Sequence, residues 1–307
     1  MLLDAASVWS KAWPILFAIL FFGVIILIHE LGHFTVAKLS GIKVNEFAIG
    51  MGPKLLSFGK GETKYSLRLI PMGGYVQMEG EDEASEDERA FNQKPVWKRF
   101  LVVIAGAVMN IILGLVLVAI LLTQQNLIGT TQIAGFHENA SSQSSGLQEG
   151  DVITHINGTS VWSDRDISFL MARDRDGVID FTVKRDGQKT ELKNVKFDTR
   201  EVDGQTVITF DFIIIGENKT FWNVLKTSFL ETASMARLVW LSLFDLVTGR
   251  FGLSDLAGPV GTVSVIAEAT TSGGFLNALS LMAFITINIG VFNLLPIPGL
   301  DGGRLFF

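Results

Sequence analysis

The sequence contains no cysteine. Disulfides and thiolate metal sites are therefore excluded, and thiols give no reading of redox compartment. Charge is sparse as well: 18% of the 307 residues are charged, and mean hydropathy is +0.39. That is too apolar for an ordinary soluble domain and points to a membrane protein with water-exposed parts. Basic residues are outnumbered, 25 Lys and Arg against 31 Asp and Glu, so no nucleic-acid partner is expected. No internal repeat is evident.

Three runs are long and apolar enough to span a bilayer. The first, Ala12–Ala37, carries Glu30 as its only formal charge when histidine is neutral. As a helix it reaches roughly 39 Å. The second is Phe100–Gln124. The third lies within Ala269–Leu300 and is most helical between Phe275 and Leu295. A cleaved leader does not fit the first run, because no small-residue cleavage site follows it. Lys38, Lys43, Lys94, Lys98 and Arg99 cluster between the first two spans, and no Lys or Arg occurs between Leu101 and Asp164. The positive-inside rule then puts residues 38–99 in the cytoplasm and the long middle segment outside. Asp301 and Arg304 return to the cytoplasmic side.

Residues 38–99 read as a β-hairpin region followed by an acidic linker. Val44–Ile49, Lys64–Ile70 and Tyr75–Met78 have strand content, and Gly59-Lys60-Gly61 marks a turn. Glu79–Glu88 reads as a solvated, flexible run. Residues 130–215 alternate short strands and turns, including an Asp186-Gly187 hairpin turn, and predict one small β-rich domain. His137 and His155 fall in its polar, turn-rich parts and read as structural or surface residues. Residues 220–268 begin with apolar positions interrupted by Lys226, Glu231, Arg237 and Asp245, which suits amphipathic helices on the outer membrane surface. Asp255–Gly261 reads as a turn leading back to the membrane.

The chemistry concentrates at His29-Glu30-Leu31-Gly32-His33, near the inner end of the first span. Histidines four apart on a helix differ by about 40° around its axis, so both can bind one metal ion. Glu30 beside them is placed to take a proton from a water molecule at such an ion. Ionisable groups are costly in hydrocarbon, which favours a metal site over a helix whose His and Glu merely satisfy each other. A catalytic zinc needs a third protein ligand, and no third histidine is nearby. Asp301 is the best candidate, since Pro296 and Pro298 should unwind the third span just before it. Unwound backbone at membrane depth is tolerated beside protein or a water-filled cavity. On the local pattern alone, an Asp capping a surface turn is an equal reading.

Taken together, His29–His33, Asn293–Gly303 (NLLPIPGLDGG) and the middle Gly146-Leu147-Gln148-Glu149-Gly150-Asp151 resemble the site-2 protease family. The resemblance covers essentially the whole chain and is strongest to bacterial regulator-of-sigma-E-type members with one PDZ domain. It implies Zn2+ held by His29, His33 and Asp301, with Glu30 as general base and acid. It also implies cleavage of the membrane segments of single-span proteins or peptides, such as anti-sigma factors or signal-peptide remnants, within the lipid bilayer of the bacterial inner membrane. Ala105–Asn110 resembles a second-span motif in which Ala107 replaces the usual proline. In that pattern Asn110 and Asn293 sit near the site as substrate-binding residues, with interhelical hydrogen bonding an equal reading. The Phe47–Gly52 and Pro71–Tyr75 segments resemble the family's membrane-associated hairpin; an exposed strand edge can pair with an unwound substrate, and a merely structural hairpin is an equal reading.

The fold class expected is a polytopic α-helical membrane protein with three visible spans, a cytoplasmic-side β-hairpin region and an extracytoplasmic PDZ domain. Relatives continue into another helix, so a further C-terminal span is expected beyond Phe307 and the chain reads as truncated. The domain reading is 1–37, 38–99, 100–124, 130–215, 220–268 and 275–307. Two competing functions remain. One is a catalytically inactive, membrane-tethered PDZ scaffold with a structural metal site, although such a site has no need for Glu30. The other is a non-haem iron enzyme, whose two-His, one-carboxylate ligand set matches but whose usual spacing does not.

Overall fold

The computed structural model describes residues 5–174, 176–202, 205–249 and 274–306. The turn expected at Asp255–Gly261 lies outside the described residues. The chain divides into two compact units, 1–121 with 235–307, and 122–234.

In the first unit, helix α1 (Ala5–Leu39), helix α2 (Val96–Gln124) and the helix Gly274–Asn293 are the described helices long and apolar enough to cross a membrane. They are apolar nearly all round, as helices solvated by lipid must be. Ala18, Phe21 and Ile25 of α1 pack with Leu113 of α2 and with Leu281, Met282, Ile285 and Ile289 of the third helix. Leu16, Leu20, Ile112, Val116 and Phe284 remain exposed on outward faces. The third helix stops at Asn293, three residues before Pro296, and residues 294–302 form turns, as the prolines predict.

Between α1 and α2 lie strands β1 (Val44–Phe58) and β2 (Lys64–Met78). Each is longer than the sequence suggests and each folds back on itself. Residues 44–49 pair with 64–67 on one side and with 74–78 on the other, while 54–58 pair with 65–68. The result is four short segments with 74–78 and 54–58 as its edges. Val44, Phe47, Val76 and Met78 anchor the base against Ala37 of α1 and Val102 of α2. The outer half instead exposes Met51, Leu55, Leu56, Phe58, Leu69 and Ile70. Buried Glu46 clamps the turn-back. It accepts hydrogen bonds from Lys54 Nζ (2.8 Å), Ser66 Oγ (2.5 Å) and Arg68 Nη2 (3.1 Å). Burial alone would raise its carboxyl pKa, but these donors outweigh burial and pull it down to about 2.

The acidic run after β2 departs from the linker reading. Its side chains face water for the most part, but its backbone is fastened. Glu79 N–H donates to Lys43 O (2.9 Å), Phe91 N–H donates to Glu79 O (2.7 Å), and Lys43 N–H donates to Arg89 O (3.0 Å). The Glu79 carboxylate also takes Asn45 Nδ2 (2.9 Å) and Ser85 Oγ (2.8 Å). Composition predicted solvation here correctly; it carried no sign of these long-range main-chain bonds.

The second unit is built on one sheet from β3 (Ile128–Phe136), β4 (Val152–Ile156), β5 (Thr159–Ser160), β6 (Val178–Arg185), β7 (Gln188–Lys196) and β10 (Phe212–Glu217). Its order is β10-β3-β4-β6-β7, with β5 on β4. Strands β8 (Thr199–Val202) and β9 (Gln205–Ile208) form a separate pair. The helices are α3 (Ser141–Ser144) and α4 (Asp164–Ala172). Asp186 and Gly187 join β6 to β7 with φ of 49° and 83°, the left-handed pair that a two-residue hairpin requires. The aspartate ending Gly146–Asp151 is fully buried, and its carboxylate takes two 2.8 Å bonds from Arg185. That paired fork anchors the loop to the sheet.

Helix α5 (Phe221–Val247) is the described helix in the stretch where surface helices are expected, and the part of that stretch after residue 249 lies outside the described residues. Phe221, Trp222, Leu225, Phe229, Trp240, Phe244 and Val247 are exposed along it, whereas Ser228, Glu231, Thr232 and Ser234 are buried.

Candidate metal centre

The helix of α1 sets His29 and His33 one turn apart, with ring centroids 4.8 Å from each other. The unwound stretch after Asn293 brings Asp301 to them. His29 Nε2 and His33 Nε2 are 3.1 Å apart, and Asp301 Oδ2 lies 3.1 Å and 3.3 Å from them. Asp301 Oδ2 is buried and makes no well-formed hydrogen bond, although both nitrogens are near. Three lone-pair atoms facing one point call for a cation. A tetrahedral ion with ligand bonds of ~2.0–2.1 Å holds its ligand atoms ~3.3–3.4 Å apart, close to the spacing here. The three residues fit zinc, and they are the metal-competent His/Asp/Glu group found among the described residues.

Each imidazole is oriented by α2. His33 Nδ1 lies 2.8 Å from Val102 O and must donate to it, which leaves Nε2 free to bind an ion. His29 Nδ1 lies 3.2 Å from the Asn110 side-chain amide. If His29 Nε2 is a ligand, Nδ1 carries the proton, and Asn110 must present Oδ1 to it. Asn110 Oδ1 otherwise has no partner in a fully buried side chain. Asn110 thus backs His29 and does not line the cavity. Asn293 is met through its main chain, where its carbonyl accepts from Gly302 N–H at 2.7 Å and shapes the loop that carries Asp301. His137 and His155 lie in the other unit and take no part.

Gly106 belongs to the second-span motif at Ala105–Asn110, and it decides how closely α2 approaches. A Cβ there would stand 2.7 Å from both Cε1 and Nε2 of His29 and would also strike His33 Nε2. Only a residue without a side chain leaves room for the two imidazoles.

A cavity of about 640 Å³ opens beside the three ligand atoms. Glu30 lines it, as do residues 74–78 of β2, which present their unpaired edge strand there. Glu81 and Asp82 of the acidic run line it as well, with Arg304 among the same walls. Burial raises the Glu81 carboxyl pKa, an effect offset in part by Arg304, with which it is ion-paired. A closed set of four protein ligands would mark a structural ion, whereas three ligands beside an open cavity and a glutamate mark the hydrolytic class of zinc site, a metallopeptidase.

Comparison with known proteins places the chain within that class. The profile of peptidase family M50 matches residues 17–307, and the chain belongs to this family, that of the site-2 proteases. It is similar to a candidate zinc metalloprotease of Clostridium acetobutylicum, 42% identical over 293 residues, covering 95% of this chain and 85% of that one. It is also similar to the regulator of sigma-W protease RasP of Bacillus subtilis, at 30% identity over 94% of this chain and 87% of RasP. The zinc metalloprotease RasP of Bacillus licheniformis is 31% identical, with coverage of 94% and 88%. The chain is accordingly a zinc metallopeptidase and a membrane protein.

Proposed function

We propose that the chain hydrolyses peptide bonds within the membrane-spanning segments of other proteins, with His29, His33 and Asp301 as zinc ligands and Glu30 as general base and acid. The observation that carries this reading is the meeting of two Nε2 atoms and one carboxylate oxygen at 3.1–3.3 Å spacing beside a cavity that Glu30 lines. When bound, zinc supplies polarisation of the scissile carbonyl and makes water a stronger acid. Glu30 accepts the water proton as the water oxygen bonds to the carbonyl carbon. It then delivers that proton to the departing nitrogen as the carbon–nitrogen bond breaks. A transmembrane helix hides its peptide bonds, so the substrate must unwind first. The free edge of residues 74–78 offers main-chain partners to the extended stretch that results. Asn110 holds His29 in place, and Asn293 shapes the Asp301 loop.

The clustering of Lys and Arg in residues 38–99 supports a cytoplasmic opening of the site in a bacterial membrane, and an outer position for the β-rich unit, which we read as a PDZ domain. RasP is named as a regulator of sigma-W, which supports anti-sigma-factor segments as one substrate class, with signal-peptide remnants as another. The test is Glu30→Gln in the full chain, reconstituted with a single-span reporter. It should keep its zinc and lose at least ~10²-fold in cleavage rate. Undiminished cleavage refutes Glu30 as the base, and zinc retention with no cleavage by the unaltered chain favours the scaffold reading.

A further inference from the structure

We propose that Glu81 and Arg304 form a tether that holds the Asp301 loop in register with the two histidines, so that both are positioning residues for the third ligand. The inference rests on the zinc-site reading above.

Asp301 sits on residues 294–302, after the third span has ended. The bonds that shape this loop are local: Leu300 N–H to Ile297 O (3.1 Å), Gly302 N–H to Asn293 O (2.7 Å) and Gly303 N–H to Leu300 O (3.0 Å). They fix its curvature but not its place against α1. Two polar contacts are described from residues 294–306 to another part of the chain. One is Asp301 with the imidazoles, and the other is Arg304 with Glu81. The first attracts only once a metal ion or a proton lies between the imidazoles and the carboxylate. The second is attractive in any state, and Arg304 lies on the short helix Gly303–Phe306 that directly follows Asp301.

The other end of the tether is firm. Glu81 follows Glu79 by two residues, and Glu79 is fixed by main-chain and side-chain bonds to Lys43, Asn45 and Ser85. The Glu81 side chain is only 14% exposed and shares its cavity with Glu30 and Asp301. A buried carboxylate among carboxylates needs a cation, and among the described residues Arg304 is the Lys or Arg side chain lining that cavity. Losing either partner therefore frees the loop; loss of Arg304 also leaves the Glu81 charge in the cavity it shares with Asp301, and loss of Glu81 leaves a cation there to compete with zinc for that carboxylate. Outer partners of metal ligands typically change metal affinity by ~10–100-fold.

The experiment is zinc competition against a chromophoric chelator, using the full chain in detergent. Glu81→Gln and Arg304→Gln should each weaken zinc binding by ~10–100-fold. With zinc in excess they should regain turnover, whereas Glu30→Gln should not. Arg304→Lys keeps the charge and should bind zinc within ~3-fold of the unaltered chain, while the double Gln variant should lose no more than either single one. Unchanged zinc affinity in both Gln variants, strictly additive losses, or equal loss in the Lys and Gln variants would each overturn the tether. Asp301→Asn is the control. If it loses zinc while the Gln variants do not, only the tether fails. If it keeps zinc, the site reading fails first.

Discussion

Replacing Gly106 with alanine adds a single methyl group to the site and tests whether the approach of α2 sets its geometry. The new Cβ would stand 2.7 Å from His29 Nε2 and nearer still to His33 Nε2, where ordinary contact begins near 3.4 Å, so the rings or the helix must yield by more than about 0.7 Å. Metal sites tolerate only ~0.2 Å in ligand position, and a ~1 Å misplacement of a reacting group costs ~10²-fold. Cleavage of a single-span reporter should fall by roughly 100-fold, equivalent to ~2.7 kcal/mol in the barrier. Zinc should also be lost to a weaker chelator. The helix itself has no reason to unravel, because alanine favours helix over glycine by up to ~1 kcal/mol. Retained helicity by circular dichroism, together with lost zinc and lost turnover, is the expected combination. An alanine variant that cleaves within about threefold of the parent refutes the argument that α2 presses the imidazoles into place.

Asn110→Leu should weaken zinc binding by ~10–100-fold and leave KM unchanged, since Asn110 braces His29 and does not face the cavity; a KM effect with unaltered zinc affinity would return it to substrate binding. Glu46 has a folded pKa of about 2, below its ordinary value near 4.5. Its contribution to the hairpin is therefore complete above about pH 4.5 and fades as the pH falls towards 2. Hydrogen exchange of amides 46–49 should quicken over that window, and Glu46→Gln should remove the dependence. An identical pH profile in the Gln variant would show that another group is responsible.

The sequence reveals most where chemistry dictates residue type. The His-Glu-x-x-His spacing is visible because a helix turns at a fixed rate, and the end of the third span is visible because Pro296 and Pro298 cannot continue it. Asp301 stood out as the carboxylate next to that break and through the NLLPIPGLDGG resemblance; its meeting with His29 is a tertiary fact. The Val102 carbonyl that orients His33 could not have been foreseen, because every residue has a carbonyl. Gly106 lies in the motif at Ala105–Asn110, but its role escaped because it matters through an atom it lacks; Glu81 lay hidden in a run whose composition reads as solvent-facing. The doubling-back of β1 and β2 escaped as well, since the extra pairing depends on the buried Glu46 network rather than on any alternation of side chains.

Supplying the histidines from one membrane helix and the aspartate from a stretch beyond another also governs when the enzyme can become dangerous. A chain still leaving the ribosome holds both imidazoles long before Asp301 exists. Hydrolytic competence therefore waits until the last of these segments has been inserted and folded back. On the proposed ligand set, a half-made copy in the bilayer still lacks its third ligand.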